Sequence, residues 1–377
     1  MKLTANTKQL KAACDAARRA VGKTTIPALE GLLLRCYGSD LEIAGYDLEC
    51  AIQVRAEAQT REAGATVIDA ALLCGILGKL GGDSVTIEVD ERNKAKISGG
   101  GSEYKLNAIP AKDFPDLPTT TDGQGHMAMP LEELQQMIRG TVYAASINPE
   151  SKPIHTGVLF EYDCDKLTLA AIDGFRCAVR KMGEAHHTNE FTAKKFTVPA
   201  KALKEIAGLK SDADQIQIYL HKKHVTFIAG DIQITSRLLD GEFMNYAAAI
   251  PQKHEAELVI NVADMIAAIE RVSLIVVEKI KTPIRMKLCP EESAVELACA
   301  TGVSAANEKV RVESNGVWDI KYEIGFNHRY LLDALNACDD DTVHMRIQSS
   351  LQPAVIVPPN GDNYLQLVLP VRLQPQQ

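Results

Sequence analysis

Three copies of one pattern constrain this chain more than any single motif. Residues 167–181, LTLAAIDGFRCAVRK, alternate apolar and polar positions, break at Asp173-Gly174, and alternate again. Two antiparallel strands joined by a tight turn leave that signature. The pattern returns at 41–54 (LEIAGYDLECAIQV) and at 295–310 (VELACATGVSAANEKV). The starts, Leu41, Leu167 and Val295, are about 127 residues apart, close to a third of the 377-residue chain.

The surroundings repeat as well. An amphipathic helix is expected over 7–21, with Thr7 as its cap, Gly22 as its stop, and Leu10, Cys14, Ala17 and Val21 as its buried stripe. Lys8, Lys11, Arg18 and Arg19 lie on another face. Pro27 opens a strand, the first hairpin follows, and Asp69 caps a short helix. Alternating strands are expected at 85–89, 95–99 and 104–109. In the middle third Pro130 starts the helix, Pro153 answers Pro27, and residues 196–209 supply the short helix. In the last third Asn261 and Asn327 cap the two helices, and Pro283 takes the place of Pro27 and Pro153. Residues 118–126 and 251–257 read as linkers. Each third is therefore helix, strands, short helix, strands: an α+β unit with a largely antiparallel sheet. The expected domains are 1–120, 127–250 and 252–377. If the chain pairs with itself by a two-fold, six such units can close a ring.

Composition narrows the function. Acidic residues outnumber basic ones, 49 to 41, for a net charge of −8. That argues against a protein that grips nucleic acid over its whole surface and leaves room for a local basic face. The nine cysteines show no CxxC and sit mostly in apolar runs, as buried reduced thiols of a cytosolic protein do. The start, MKLTANTKQL, lacks the apolar core of a signal peptide, and no apolar run reaches the roughly 18 residues of a membrane span. A soluble, cytoplasmic protein is expected. HKKH at 221–224 reads as a polar hairpin turn, His186-His187 as part of a polar loop, and Asp339–Asp341 as an acidic turn. The glycines at 99–101 lack the Lys-Ser/Thr and helix of a phosphate loop. No nucleophile elbow, metal-ligand spacing or paired-carboxylate motif stands out, so neither an enzyme nor a cofactor is expected.

Nine stretches, in order, then match one family: KTTIPALEGLLL (23–34), YDLECAI (46–52), LNAIPAKDFPDLP (106–118), GVLFE (157–161), DGFR (173–176), LLDGEF (238–243), IGFN (324–327), YLLDAL (330–335) and YLQLVLPVRL (364–373). Over essentially its whole length the chain resembles the bacterial DNA polymerase III beta subunit, the sliding clamp. The resemblance implies a DNA-clamp fold of three repeated domains, each with helices packed on antiparallel sheets. It implies a head-to-tail homodimeric ring of six domains that encircles double-stranded DNA. Such a ring tethers the replicative polymerase for processive synthesis and binds the clamp loader and repair proteins through short peptides. A ring held by topology needs only weak, sliding phosphate contacts, which suits an acidic protein with a thinly basic inner face.

The same resemblance implies three sets of residues. For DNA contact it offers Lys11, Arg18, Lys23, Lys79, Lys201, Lys204 and Arg271. For the dimer contact it offers Tyr104 and Leu106 against Leu274 and Ile275. For a pocket taking peptides of Gln-Leu-x-Leu-Phe character it offers Lys152, His155, Thr156, Gly157, Ile172, Gly174, Phe175, Arg176 and Cys177. Met244, Ala248 and Ala249 supply a second wall. Asn327, Tyr330, Leu367, Leu369, Pro370, Val371 and Arg372 come from the last domain. The chain departs from the family there. Relatives commonly carry Leu at His155, Thr at Ile172, His or Tyr at Phe175, Leu at Cys177, and Pro and Arg at Met244 and Ala248. The pocket floor should differ in shape, with space opened at Cys177 and partly filled by Phe175. The tail Gln374–Gln377 extends past Leu373, where many relatives end. Two rivals remain: a clamp-fold adaptor that binds peptides without acting as the replicative ring, and an enzyme on the repeated scaffold.

Overall fold

The computed structural model describes residues 1–118, 123–148, 152–163, 166–182, 195–276, 282–314 and 322–373. The His186-His187 loop, Cys164 and the tail after Leu373 lie outside these residues.

Six helices are present among them: α1 (Thr7–Arg18), α2 (Ala70–Lys79), α3 (Leu131–Arg139), α4 (Ala200–Ala207), α5 (Val262–Ser273) and α6 (His328–Asn336). Their starts follow capping chemistry. Asp69 accepts from Leu72 N, Asn261 from Asp264 N and Asn327 from Arg329 N, as the sequence suggests. Such a cap stabilises a helix by about 1 kcal/mol. At α1 the cap is Asn6, not Thr7; its side chain accepts from Lys8 N and Gln9 N, and Thr7 is the first helical residue. That helix also ends at Arg18, one turn short of Gly22.

Other boundaries differ for physical reasons. A strand precedes the first helix of every third: Lys2–Asn6, Gly123–Pro130 and Ala256–Asn261. The expected linkers therefore run into ordered strands, and Pro130 closes a strand rather than opening α3. Pro27 and Pro153 do not open strands either. Each begins a 3-10 turn, Pro27–Glu30 and Pro153–Thr156, because proline's fixed φ suits the first helical position.

The described residues form two compact units, those of 1–133 with 208–238, and those of 134–207 with 239–377. Each holds one nine-stranded and one smaller sheet, all pairings antiparallel. In the first unit, five strands of the first third (Ile109–Pro110, Gly64–Asp69, Gly31–Tyr37, Asp40–Tyr46, Cys50–Glu57) continue into four of the middle third (Ile232–Arg237, His224–Ala229, Gln215–His221, Gly123–Pro130). A five-stranded sheet accompanies it and ends on the strand Ser102–Asn107. In the second unit, four strands of the middle third, ending at Arg176–Lys181, continue into five of the last third, beginning at Tyr364–Val368. A four-stranded sheet there ends on Ala305–Arg311.

Helix α1 lies directly on the first hairpin. A Cβ placed on Gly45 would sit 2.1 Å from the Ala17 carbonyl oxygen, so only glycine admits the helix at this distance. Leu10, Ala13, Cys14 and Ala17 are buried in that contact. The HKKH segment does turn at Lys222-Lys223, but His221 is buried at the end of its strand rather than exposed. The described cysteines are unbridged; all are buried except Cys338, which is half-buried. No helix among the described residues is long and apolar enough to cross a membrane.

Candidate functional site

The hairpin Lys166–Ile172 and Arg176–Lys181 carries the centre of the site, in the second unit. Ile172 pairs with Cys177, and Asp173 N donates to Arg176 O, which leaves a two-residue tip, Gly174-Phe175. Asp173 fixes the tip by accepting from Phe175 N and Arg176 N. Gly174 is left-handed at φ +89°, a conformation that costs glycine little.

The tip aims two side chains at α6. Phe175 is 59% exposed and stacks on Tyr330, with ring centroids 6.1 Å apart. Arg176 lies over the same Tyr330 ring at 4.6 Å and over Tyr143 at 5.3 Å. Its Nε donates to Asp173 (2.8 Å) and its Nη1 to Asp333 (2.5 Å). Burial alone would weaken the guanidinium's hold on its proton, but the two carboxylates outweigh it and raise the pKa. Arg176 is therefore a fixed charge between two aromatic faces, a setting in which cation–π attraction is strongest.

Below the tip is an apolar floor. Ile172, Cys177 and Leu367 are buried in one cluster with Leu159, Ala170, Val179, Val355 and Val357. Burial pushes the Cys177 thiol up to about 12, assisted by Asp173, so it acts as a small apolar side chain. Phe243, Tyr246 and Ile250 pack against this cluster, and the Tyr246 hydroxyl donates to Glu161 at 2.9 Å. Met244, Ala248 and Ala249 lie exposed on the same segment.

His155 meets Phe243 edge to face at 5.7 Å; burial, then the nearby Lys152, lowers its pKa and keeps the imidazole neutral. Thr156 donates to the Pro153 carbonyl at 2.7 Å. Gly157 has no room for a Cβ, which would stand 2.5 Å from Val198 O and 2.7 Å from Leu239 Cδ1. From the last third, Leu369 N donates to Phe175 O and Val371 N to Gly325 O, both at 2.8 Å. Those bonds set Leu369, Pro370, Val371 and Arg372 beside the tip, with Leu369 and Val371 partly exposed. Asn327 caps α6 and thereby places Tyr330. An exposed apolar rim of Phe175, Met244, Leu369 and Val371 thus surrounds a buried floor, with one fixed cation.

Sequence reasoning missed Tyr143, Phe243, Tyr246 and Asp333. Asp333 had a readable signal, because it follows Tyr330 by three residues and so shares its helix face. Tyr143 had none.

The expected DNA contacts lie on or beside helices. Arg18, Lys23, Lys79, Lys201 and Lys204 are exposed. Lys11 is paired with Asp15 at 2.5 Å, and Arg271 is held by both oxygens of Glu308. The six helices carry nine basic and seven acidic residues, the reverse of the whole chain's balance. Among the expected dimer contacts, Tyr104 and Leu106 are half-buried on the open strand Ser102–Asn107. Leu274 is 84% exposed, while Ile275 packs partly against its own core.

Comparison with known proteins places the whole chain in one family. Residues 1–118, 128–245 and 247–372 match the family models described as the N-terminal, central and C-terminal domains of the DNA polymerase III beta subunit. A beta sliding clamp of Synechococcus elongatus is 32% identical over 384 residues, covering 99% of this chain and 100% of the relative. One from Staphylococcus epidermidis is 30% identical over 359 residues, covering 93% of each. The solved DNA polymerase sliding clamp of Bacillus subtilis superposes with a TM-score of 0.92 at 27% identity, over 99% of this chain and 100% of that one. A Pseudomonas aeruginosa sliding clamp bound to griselimycin gives 0.90 at 26% identity, with coverage of 99% and 100%.

Proposed function

This chain belongs to the DNA polymerase III beta subunit family, and from that premise we propose that it is a DNA sliding clamp: a non-catalytic, cytoplasmic homodimeric ring that encircles duplex DNA and tethers the replicative polymerase. One observation carries the ring. One nine-stranded sheet joins five strands of the first third to four of the middle third, and the other joins four strands of the middle third to five of the last. The remaining sheets have five and four strands and end on open edges, Ser102–Asn107 and Ala305–Arg311. Pairing these edges head to tail with a second copy makes two more sheets of nine and closes six thirds into a ring. It also covers edges that would otherwise invite indiscriminate pairing.

The chemistry supports a sliding device. The helices carry a small positive excess on a chain of net charge −8, which suits weak phosphate contact without the steep salt dependence of a tight binder. Lys11 and Arg271 are neutralised by Asp15 and Glu308, so Arg18, Lys23, Lys79 and Lys204 are the better candidates. The Phe175–Arg176–Tyr330 rim over its apolar floor supports capture of a short apolar peptide, with the buried floor as the energetic centre. Polymerase, clamp loader and repair proteins would compete for it.

The test combines mass and topology. Light scattering at sub-micromolar concentration should give twice the 41.0 kDa chain mass. Protein loaded on nicked circular DNA should stay bound through gel filtration and run off once the circle is linearised. A persistent monomer would favour the adaptor reading, and equal retention on circle and line would defeat topological binding.

A further inference from the structure

The two internal sheet junctions are built on equivalent strands but different chemistry. In the first unit, Cys50–Glu57 pairs with Ile232–Arg237, with Val54 opposite Ile232 and Ile52 opposite Ile234. All four are apolar; Val54, Ile52 and Ile234 are buried. The hairpins align Val54 with Arg180, since Tyr46 pairs with Ala51 as Ile172 pairs with Cys177. In the second unit, Arg180 stands opposite Tyr364 and Ala178 opposite Gln366. The second junction thus has a buried cation and a fully buried amide where the first has aliphatic side chains.

That cation is matched at its two terminal nitrogens, while its buried Nε makes no hydrogen bond. The Arg180 guanidinium, 5% exposed, takes both carboxylate oxygens of Asp339, donates to Ala337 O at 2.6 Å, and lies 5.0 Å above the Tyr364 ring. Tyr364 donates to Asp340 at 2.7 Å. Gln366 accepts from the Tyr143 hydroxyl at 2.6 Å and donates to Gly140 O at 3.3 Å. Even the path is shaped: a Cβ on Gly140 would stand 2.2 Å from Arg180 Nε. Apart from the Tyr364–Asp340 bond, which lies within the last third, each of these bonds of Arg180 and Gln366 links the middle third to the last.

We propose that the Arg180–Asp339 and Gln366 network is an identity key, which makes strand Arg176–Lys181 accept only Tyr364–Val368 among the similar edges this repeat chain presents. A chain of three like units risks pairing the wrong edges during folding, within one chain or between two. Pairing Cys50–Glu57 with Tyr364–Val368 would set Ile52 against Gln366 and leave Asp339 without its arginine. Pairing Arg176–Lys181 with Ile232–Arg237 would bury Arg180 beside Ile232 with no carboxylate. Removing one partner of a buried ion pair is far more damaging than replacing both with apolar groups, so such a pair discriminates even where it adds little stability. The Asp339–Asp341 stretch, an acidic turn by sequence, gains its purpose here.

The test separates identity from stability. Full-length R180V/D339L, which gives the second junction the apolar character of the first, is refolded from urea over a range of protein concentrations beside the wild type. Native mass spectrometry and light scattering read the species. Wild type should return to one set of native masses at every concentration. The double variant should melt at or above the wild-type temperature, yet yield additional species that grow with concentration. If it instead recovers the wild-type species distribution, the key does not exist and the network is structural only. Should it fail to refold, R180Q/D339N, which keeps shape and hydrogen bonding without charge, is read the same way. R180K, which keeps the charge, should stay close to wild type; extra species from R180K and none from R180Q/D339N would overturn the proposal.

Discussion

Gly45→Ala should be among the most damaging single-methyl changes in the first unit. The new Cβ would lie 2.1 Å from the Ala17 carbonyl oxygen, 3.0 Å from its carbon and 3.2 Å from Val21 Cγ2. An ordinary contact requires the helix to retreat by about 1 Å, in an interior packed as densely as a crystal. Overpacking costs about 1–3 kcal/mol, and the upper end applies because the obstacle is helix backbone rather than the end of a flexible side chain. For a unit of this size that corresponds to a fall of roughly 6–12 °C in melting temperature. Gly75→Ala is the internal control. It sits exposed inside α2 with nothing within 4 Å of its Cβ, so the same methyl should stabilise by about 0.5–1 kcal/mol through helix propensity and a restricted unfolded chain. Thermal unfolding followed by circular dichroism reads both signs. A Gly45→Ala variant that melts with the wild type would show that α1, which carries Lys11 and Arg18, is not seated as rigidly as the contact implies.

Charge reversal at Lys23 should weaken retention on circular DNA while leaving the melting temperature in place; undiminished retention removes Lys23 from the DNA face. Leu274→Asp should yield a monomer by light scattering, and a variant that stays dimeric would refute that contact. Arg176→Ala should weaken binding of a Gln-Leu-x-Leu-Phe peptide about tenfold in fluorescence polarisation, since the guanidinium holds Tyr330 in place by cation–π attraction of about 0.5–2 kcal/mol; unchanged affinity would mean that the arginine does not shape the rim. Burial opposes ionisation of Asp339, but Arg180 wins and holds its carboxyl below the usual range, so its stabilisation is present at neutral pH and disappears as pH falls through the folded-state value. Melting curves from pH 7 downward should therefore converge for wild type and Asp339→Asn; a constant gap would contradict the assignment.

Much of the fold was legible because it rests on local chemistry. The hairpins declare themselves by alternation, and Asp69, Asn261 and Asn327 cap where a side-chain oxygen before an apolar stripe should. The strands Lys2–Asn6, Gly123–Pro130 and Ala256–Asn261 were hidden for the opposite reason. They carry polar residues or, in Gly123–Pro130, a proline, and are strands because neighbours pair with them. The site divides the same way. The tip residues Asp173 to Arg176 are contiguous and readable, whereas Arg176–Asp333 and Arg180–Asp339 join residues 157 and 159 apart. No periodicity encodes such a pair, so the stretch at 339–341 reads from sequence only as an acidic turn.

The open strands have a consequence for supply. Ser102–Asn107 and Ala305–Arg311 end their sheets, and in the proposed ring they are covered only by a second copy, whose encounter depends on concentration. Their Glu103, Lys105, Glu308, Lys309 and Arg311 act as sentries, since charged side chains on an edge make casual docking unfavourable. Substituting several of them with neutral residues to ease purification would remove that protection. Concentrated protein, more than heat, would then be the condition under which the variant is lost.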